Sequence, residues 1–342
     1  MKKIMCLAAS ALMLLSGCGK KTADNRVQAS RDVFAMDTYM NLKAYGENAE
    51  DALRQAESEI LHLEELLSVT NENSDISVIN SANGSSVAVA EDTAKIIAKA
   101  LEIGDITDGA LDISVYPVLR EWGFTAGEYK IPEKSTLDAL LENVDYRRIQ
   151  LEDGAVTVPA AYQLDLGALA KGYTSDRVME ILRENGVESA VISLGGNVRT
   201  LGRKPDGSQW KIAVTDPFVP ESSLAVVEVS DKAVITSGNY ERYFMGEDGV
   251  RYHHIIDPED GFPADNGLVS VTIIAESGIM CDALSTALFV SGYEKAVDIW
   301  REHGNFDMIL IDEDGMIYIT PGIEDSFFLG GNFHYDMQVI QP

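Results

Sequence analysis

The sequence predicts an α+β fold built as one large domain. Helical and extended patterns both occur along the 342 residues, but they do not alternate regularly, as the units of a doubly wound parallel sheet would. No internal repeat, low-complexity tract or linker interrupts the chain after residue 30. A chain of this length can bury a large core. We therefore expect a single α+β unit over residues 31–342.

The N-terminal segment has the pattern of a lipoprotein signal. Lys2 and Lys3 precede an apolar run over residues 4–15, which is too short for a stable transmembrane helix. The run leads into Leu15-Ser16-Gly17-Cys18, small residues with a cysteine at the cleavage point. This pattern predicts a signal peptide over 1–17, lipid (palmitate) on the Cys18 sulfur, and a polar tether over 18–30. The protein would be lipid-anchored at the extracytoplasmic face of the cell membrane; an ordinary signal peptide with a chance cysteine is the alternative.

Charge and cysteine content restrict the partners and the redox chemistry. The formal net charge of −28 repels nucleic acid and anionic lipid, so nucleic acid is not expected as a partner. Besides Cys6 in the signal and Cys18, the chain has only Cys281. The mature chain should therefore contain no internal disulfide. The apolar and small neighbours of Cys281 favour a buried residue over a catalytic thiol.

The first half of the domain begins with an extended segment and continues with helices. Apolar and polar residues alternate from Phe34 to Leu42, which predicts a strand. Apolar residues at helical spacing predict a helix over 48–69. Similar patterns predict helices over 92–105 and 132–145, and residues 163–166 are expected to be extended.

The second half mixes both kinds of element. A helix is predicted over 174–185, where Gly186 ends it. Further helices are predicted over 281–290 and 293–303. Strands are predicted over 190–194, 198–202, 210–214, 224–229, 253–256, 268–274, 308–311 and 316–319.

Asp282 and Thr286 form a candidate metal site. They lie four residues apart in a predicted helix, so both side chains are on one face. A carboxylate and a hydroxyl suit a hard cation such as Mg²⁺, which also keeps waters or substrate phosphates. The alternative is a helix cap or a surface pair without a ligand.

The segment from Asp165 to Tyr173 is a candidate phosphate site. A strand ends in a carboxylate, and a turn of small residues leads into a helix that carries Lys171. Free amides at the start of a helix bind phosphate, and the lysine adds a positive charge. The segment is not a Walker loop. The alternative is a tight turn followed by a solvated lysine.

Two of the five histidines are adjacent in His253-His254-Ile255-Ile256-Asp257-Pro258. The end of a strand that faces a cleft can carry acid–base groups. A zinc site lacks a third ligand at the usual spacing, and a half-buried pair packed in a sheet is the other alternative. Small residues in Gly109-Ala110-Leu111-Asp112 and Thr236-Ser237-Gly238-Asn239-Tyr240 would let a ligand approach the backbone.

In this order, the segments resemble the ApbE family, the FAD:protein FMN transferases. The resemblance extends over about residues 33–320. Many members of this family are bacterial lipoproteins, which agrees with the predicted lipid on Cys18. The matching segments are Met36-Asp37-Thr38, Ser74-Asp75-Ile76-Ser77, Gly109-Ala110-Leu111-Asp112-Ile113-Ser114, the run from Asp165 to Tyr173, Leu194-Gly195-Gly196-Asn197, Thr236-Ser237-Gly238-Asn239-Tyr240, His254-Ile255-Ile256-Asp257-Pro258 and Cys281-Asp282-Ala283-Leu284-Ser285-Thr286-Ala287.

The resemblance implies a T-fold-related α+β enzyme that requires Mg²⁺ and uses FAD as a substrate. It would transfer the FMN half of FAD to a threonine or serine hydroxyl of a target protein and release AMP. The implied metal ligands are the backbone oxygen of Ala168 and the side chains of Asp282 and Thr286. The implied FAD-binding residues are Met36, Thr70, Ala110, Leu111, Asp112, Asp165, Lys171 and Ile256. This chain departs from the family pattern at Thr70, where relatives often have an aromatic residue, and at Val78, where they often have arginine.

The implied reaction needs a group that accepts the proton of the attacking hydroxyl, and His254 or Asp257 is the candidate. Stabilisation of charge on the phosphoryl oxygens should dominate the catalysis. Two other functions remain open. The same site could hydrolyse FAD to FMN and AMP, or the protein could be a lipoprotein that binds flavin without catalysis.

Overall fold

The computed structural model describes residues 28–125, 127–330 and 335–342. The predicted signal peptide, Cys18 and most of the predicted tether lie outside these residues. The first strand begins at Gln28, so the last three residues assigned to the tether belong to the domain.

Within the described residues there are seven α-helices and 17 strands. The helices are α1 Ala49–Leu67, α2 Asp75–Ser81, α3 Glu91–Ile106, α4 Tyr116–Glu121, α5 Lys134–Leu141, α6 Ala170–Glu184 and α7 Gly278–His303. The strands are β1 Gln28–Ala35, β2 Thr38–Tyr45, β3 Val87–Ala88, β4 Gln150–Glu152, β5 Ala155–Thr157, β6 Ser189–Leu194, β7 Asn197–Leu201, β8 Trp210–Thr215, β9 Ser223–Val229, β10 Ala233–Gly238, β11 Tyr243–Met245, β12 Arg251–His253, β13 Leu268–Ala275, β14 Asp307–Asp312, β15 Ile317–Ile319, β16 Phe327–Leu329 and β17 Met337–Val339.

A nine-stranded sheet, with strand order β1-β2-β6-β7-β10-β13-β14-β15-β17, forms the centre of the fold. Its neighbouring strands are antiparallel except β15 and β17, which are parallel. Helices segregated to one face of an antiparallel sheet define the α+β class. The predicted fold class is therefore confirmed.

Both faces of the large sheet are covered near its centre. On one face, Ile273 of β13 and Leu310 of β14 belong to the same core cluster as residues of α3 and α7. On the other face, Ile274 and Ile311 pack against the small sheet of order β16-β9-β8. Every residue of β13 is consequently buried, including Ser270 and Thr272, which is why no exposed polar residues alternate with its apolar ones.

The strand predicted from Phe34 to Leu42 is instead a hairpin of β1 and β2. Its turn consists of Met36 and Asp37, with φ of 51° and 56°, between the paired residues Ala35 and Thr38. Two residues with positive φ are typical of a type I′ turn, in which Asn and Gly are preferred. Because a two-residue turn preserves the period of two, the alternation continues through it and conceals the reversal.

The two predicted C-terminal helices are present as the two parts of α7, which a break separates. Gly292 has φ 79° and ψ 173° and interrupts the helix near its middle. Asn266 Nδ2 donates to the carbonyl oxygens of Phe289 and Val290 at 2.8 and 3.0 Å. This amide therefore bonds carbonyls that the break deprives of their helical partners.

Helices α6 and α7 are in close contact at two glycines. A Cβ on Gly172 would lie 2.4 Å from the Gly278 carbonyl oxygen and 2.6 Å from Asp282 Cβ. Asp176 of α6 accepts hydrogen bonds from the backbone amides of Gly278 and Ile279 at 2.7 and 3.0 Å. One side chain of α6 thus caps the N-terminus of α7.

Around the site, one predicted strand was partly wrong and one strand was not predicted. The strand predicted over 253–256 ends at His253 as β12, and Ile256 forms only an isolated bridge with Pro263. The interior strand β10 was not predicted, since only three apolar residues precede its polar end at Thr236 and Ser237. Cys281, in contrast, is fully buried and unpaired, as predicted.

The glycine contact between α6 and α7 yields a stability prediction. Gly172→Ala should lower the free energy of unfolding by about 1–3 kcal/mol, the usual cost of overpacking, although alanine favours helix. Urea unfolding followed by circular dichroism measures the change. Glu184→Ala, at an exposed position of the same helix, should change the stability by less than about 0.5 kcal/mol. Wild-type stability of Gly172→Ala would contradict the close contact.

Candidate active site

Asp282 is the centre of the candidate metal site. It lies in the first turns of α7 and is 5% exposed. Its Oδ2 accepts a hydrogen bond from the Gly172 amide at 2.7 Å, and its Oδ1 accepts one from Asn197 Nδ2 at 2.8 Å. Burial raises the pKa of this carboxyl, and the positive charge of Lys171 opposes the rise.

The bond to Gly172 also stabilises the start of α6. Gly172 is the third residue of the helix, where a backbone amide has no carbonyl partner within the helix, and its amide donates to Asp282 instead. Ala168, whose carbonyl is the implied ligand, lies two residues before the helix. The helix begins at Ala170, four residues before the predicted start at residue 174.

A hydroxyl cluster orients the third implied ligand, Thr286. Ser285 Oγ donates to the Asp282 carbonyl at 2.9 Å, and Ser237 Oγ lies 2.8 Å from Ser285 Oγ and 3.3 Å from Thr286 Oγ1. Ser237 comes from the end of β10. Thr286 is thus held one helical turn from Asp282, as its spacing predicted.

The donor set fits a hard divalent cation. Ala168, Asp282 and Thr286 offer a carbonyl, a carboxylate and a hydroxyl, all of them oxygen donors. Over the described residues, no group of three or more His, Cys, Asp or Glu side chains could hold a metal. A cation bound here would therefore complete its coordination with waters or substrate phosphates, which is typical of Mg²⁺.

Lys171 is the positive centre of a charged cluster. Its charge acts on Asp165, Glu241, His254 and Asp282. Burial raises the pKa of the Asp165 carboxyl, while the charges of Arg242 and Lys171 oppose that rise. Glu241 and Arg242 were not predicted as site residues, because they directly follow the segment 236–240 and carry no periodic signal.

The predicted phosphate site at the start of α6 is only partly supported. The amide of Ala170 donates to the Leu166 carbonyl at 2.9 Å and that of Gly172 donates to Asp282. These two helix-start amides are therefore not free for a phosphate, contrary to the expectation. The half-buried Lys171 side chain remains the group suited to an anion.

His254 has one ring nitrogen fixed and one available. Its Nδ1 and its backbone amide both lie 3.1 Å from the carbonyl oxygen of Arg242. Because a carbonyl only accepts, Nδ1 carries the proton, and Nε2 of the neutral ring keeps a lone pair. Burial, with the charges of Arg242 and Lys171, lowers the pKa of His254 to about 3. The ring is therefore neutral at pH 7, and its Nε2 can accept a hydrogen bond from a hydroxyl.

His253 has a structural role. Its Nε2 donates to the Ala264 carbonyl at 3.1 Å, and its Nδ1 accepts from the Ile255 amide at 3.3 Å. The ring also packs edge-on against Phe289. Only His254 of the histidine pair is left for chemistry, which agrees with the packed alternative for its neighbour.

Asp257 makes the contacts of a turn. Its Oδ1 accepts from the Glu259 amide at 2.8 Å, and its own amide donates to the Phe262 carbonyl at 2.8 Å. Burial raises the pKa of its carboxyl, and the nearby positive charge is Lys295. The structure gives it no contact with the cluster around Lys171.

The segment that contains Ala110, Leu111 and Asp112 adjoins the Asp165 strand. The Asp165 amide donates to the Ile113 carbonyl at 2.8 Å. The Asp112 carboxylate is buried and accepts bonds from Ser114 and from the Tyr146 amide, so it stabilises the segment itself. Leu111 is also buried and Ala110 half-buried, which leaves the backbone as the part that could contact a ligand.

The remaining implied FAD residues, Met36, Ile256 and Thr70, lie on three separate segments. The Met36 amide donates to Glu64 Oε1 at 2.6 Å. The Met36 Sδ atom lies 3.9 Å from Oγ1 of Thr174, which is one turn along α6 from Lys171. Ile256 is buried two residues after His254. Thr70 is exposed and lines a groove of about 400 Å³ together with Tyr116, Arg120 and Gln163.

The chain is similar to proteins of one known family. The ApbE family model matches residues 36–310. The FAD:protein FMN transferase of Treponema pallidum is 32% identical over 335 residues, which cover 91% of this chain and 92% of the relative. The transferase of the same name from Klebsiella pneumoniae is 34% identical over 303 residues, covering 87% and 93%.

A solved structure shows the same fold. The crystal structure of the ApbE protein from Thermotoga maritima superimposes with a TM-score of 0.80 at 33% identity and covers 85% of this chain and 96% of that one. With the family model and these relatives, it shows that the chain belongs to the ApbE family.

Proposed function

We propose that this enzyme transfers the FMN moiety of FAD to a threonine or serine hydroxyl of a target protein, with Mg²⁺ as cofactor and AMP as the second product. Flavin transfer follows from the relatives, which are named FAD:protein FMN transferases. The observation that carries the finer proposal is the joining of Asp282, Lys171 and a neutral His254 in one cluster.

The proposed reaction exchanges one phosphorus–oxygen bond for another. The acceptor oxygen forms a bond with the FMN phosphorus, and the bond from that phosphorus to the bridging oxygen breaks. AMP leaves with the bridging oxygen. His254 Nε2 accepts the proton of the hydroxyl, since its lone pair is free and Nδ1 holds the ring in place.

Charge stabilisation is assigned to residues on α6 and α7. Ala168, Asp282 and Thr286 would hold Mg²⁺, which when bound neutralises charge on the pyrophosphate. Lys171 contributes a fixed positive charge beside it. Asp165, also within the influence of Lys171, is proposed to contact FAD together with Met36, Thr70, Ala110, Leu111, Asp112 and Ile256. Asp112 would do so through its backbone, because its carboxylate is used internally.

The first test separates transfer from the two alternatives. The enzyme is incubated with FAD, Mg²⁺ and membrane proteins from cells of the organism that produces it. These proteins are then analysed by mass spectrometry. An added FMN mass on a threonine or serine is expected. Release of FMN and AMP without labelled protein would indicate a hydrolase, and recovery of intact FAD would indicate a binding protein.

Asp282→Asn should lower the transfer rate by about a hundredfold or more, because it removes the only carboxylate of the metal site while keeping its shape. The rate is measured as a function of Mg²⁺ concentration, and Mg²⁺ binding is measured by calorimetry. Asp298→Asn, an exposed carboxylate on the same helix, is the control and should behave like wild type. Normal Mg²⁺ binding by Asp282→Asn would refute the metal assignment.

His254→Ala should slow single-turnover transfer by about a hundredfold to ten-thousandfold, the usual contribution of a general base. FAD affinity, measured separately, should change much less. Asp257→Asn retains the turn and should transfer at nearly the wild-type rate. If Asp257→Asn slows transfer and His254→Ala transfers at the wild-type rate, the general base is Asp257 and not His254.

We further propose that lipid on Cys18 anchors the enzyme at the extracytoplasmic face of the membrane. None of the helices in the described part of the chain has the length and apolar character needed to span a bilayer. Cys18→Ala should move the protein from the membrane fraction to the soluble fraction. Cys6→Ala, a cysteine inside the signal, should leave the distribution unchanged. Membrane attachment of Cys18→Ala would contradict the lipid anchor.

A further inference from the structure

The hairpin of β11 and β12 leads directly into His254 and has two different faces. On its inner face, Phe244 and Tyr252 pack against Trp122, with ring centroids 6.3 and 5.3 Å away. Tyr129 stacks on Phe244 at 5.2 Å with an angle of 8° between the rings. This aromatic packing fixes the hairpin to the body of the enzyme.

The hairpin also exposes apolar side chains. Tyr243 and Met245, on the face opposite Phe244, are 38% and 56% exposed, and Val250, just before β12, is 49% exposed. The guanidinium of Arg251 lies over the Tyr243 ring at 4.5 Å. A cluster of large exposed apolar residues beside a reaction centre is typical of a surface that binds another protein.

The β11 edge also has unused backbone groups. Within the described residues β11 pairs with β12 alone. Just beyond the two ends of β11, the Gly246 amide donates to the Val250 carbonyl and the His254 amide donates to the Arg242 carbonyl. Gly246–Val250 and Arg242–His254 are therefore hydrogen-bonded pairs of the hairpin. Because such pairs alternate along an antiparallel ladder, Tyr243 and Met245 direct their N–H and C=O groups away from β12. An extended chain could pair with these groups.

The position of this edge matches the position of His254. The ring of His254 lies on the same face as Phe244 and Tyr252, and it packs edge-on against Phe124 at 6.3 Å. A strand added to β11 would run two strand spacings from the His254 backbone, roughly 9–10 Å. A threonine or serine on that strand, directed to the same face, could bring its hydroxyl to Nε2.

We propose that the β11 edge binds the target protein, as an extended segment that contains the acceptor threonine or serine and pairs with Tyr243 and Met245. This inference rests on the proposed function and names the surface that delivers its second substrate. The exposed side chains of Tyr243, Met245 and Val250 then contact apolar residues on either side of the acceptor.

Two substitutions at Met245 test the backbone and the side chain separately. Met245→Pro removes an amide that points away from β12, so the hairpin keeps its own hydrogen bonds, and proline is tolerated at such edge positions. Met245→Asp places a charge on the apolar surface. The substrate for these assays is the acceptor protein that the mass spectrometry identifies by its added FMN. Each substitution should raise the KM for this protein by about tenfold, with kcat within about twofold of wild type.

The matched control is Phe328→Asp, at a residue 50% exposed on the edge strand β16, which should have the wild-type KM. Circular dichroism and FAD affinity check the fold of each variant. Wild-type labelling with an unchanged KM in both Met245 variants would overturn the docking surface alone. A change in oligomeric state with unchanged KM would assign the edge to self-association and also overturn it. Absence of any FMN-labelled protein with wild-type enzyme would contradict both the proposed function and this inference.

Discussion

The contact between α6 and α7 is the constraint on which the site depends. The helices approach so closely at Gly172 and Gly278 that neither position has room for a Cβ. Asp176 fixes the relative position of the two helices by bonding the first amides of α7, and the buried Arg199 lies 3.2 Å from its carboxylate. The carboxylate of this ion pair also accepts a hydrogen bond from Ser277 Oγ at 3.4 Å, whereas the buried Arg199 Nε has no hydrogen-bond partner.

This contact joins groups that are far apart in the sequence. The close approach lets Asp282 accept a hydrogen bond from the amide of Gly172, 110 residues earlier in the chain. It brings Lys171 and the implied ligands Ala168, Asp282 and Thr286 to the adjoining N-terminal ends of the two helices. The site is therefore built by packing between helices, and its charges are held in a partly dry environment where electrostatic interactions are stronger than in water.

Local patterns predicted the fold class and most elements, whereas tertiary contacts decided what was missed. The helix α1 could be predicted because burial of one face places apolar residues at helical spacing. The strand β13 could be predicted because its complete burial makes most of its residues apolar. The turn at Met36 and Asp37 was hidden because it preserves the alternation. The strand β10 ends in polar residues, and Ser237 among them contacts the hydroxyl cluster of α7. These polar residues shorten the apolar pattern by which a strand is predicted. At the site, the spacing of Asp282 and Thr286 was informative, but only the structure shows that Arg242 holds His254 and that Asp257 belongs to a turn.

The break at Gly292 divides α7 into two helices with separate duties. The first carries the site residues and is capped at both ends, by Asp176 before it and by Asn266 after it. The second is amphipathic and surface-exposed, and its last carbonyls are followed by Gly304 in a left-handed conformation. Since a broken helix does not transmit rotation along its axis as a continuous one does, exposed residues after the break, such as Glu294, Lys295 and Asp298, can vary while the geometry around Asp282 stays the same.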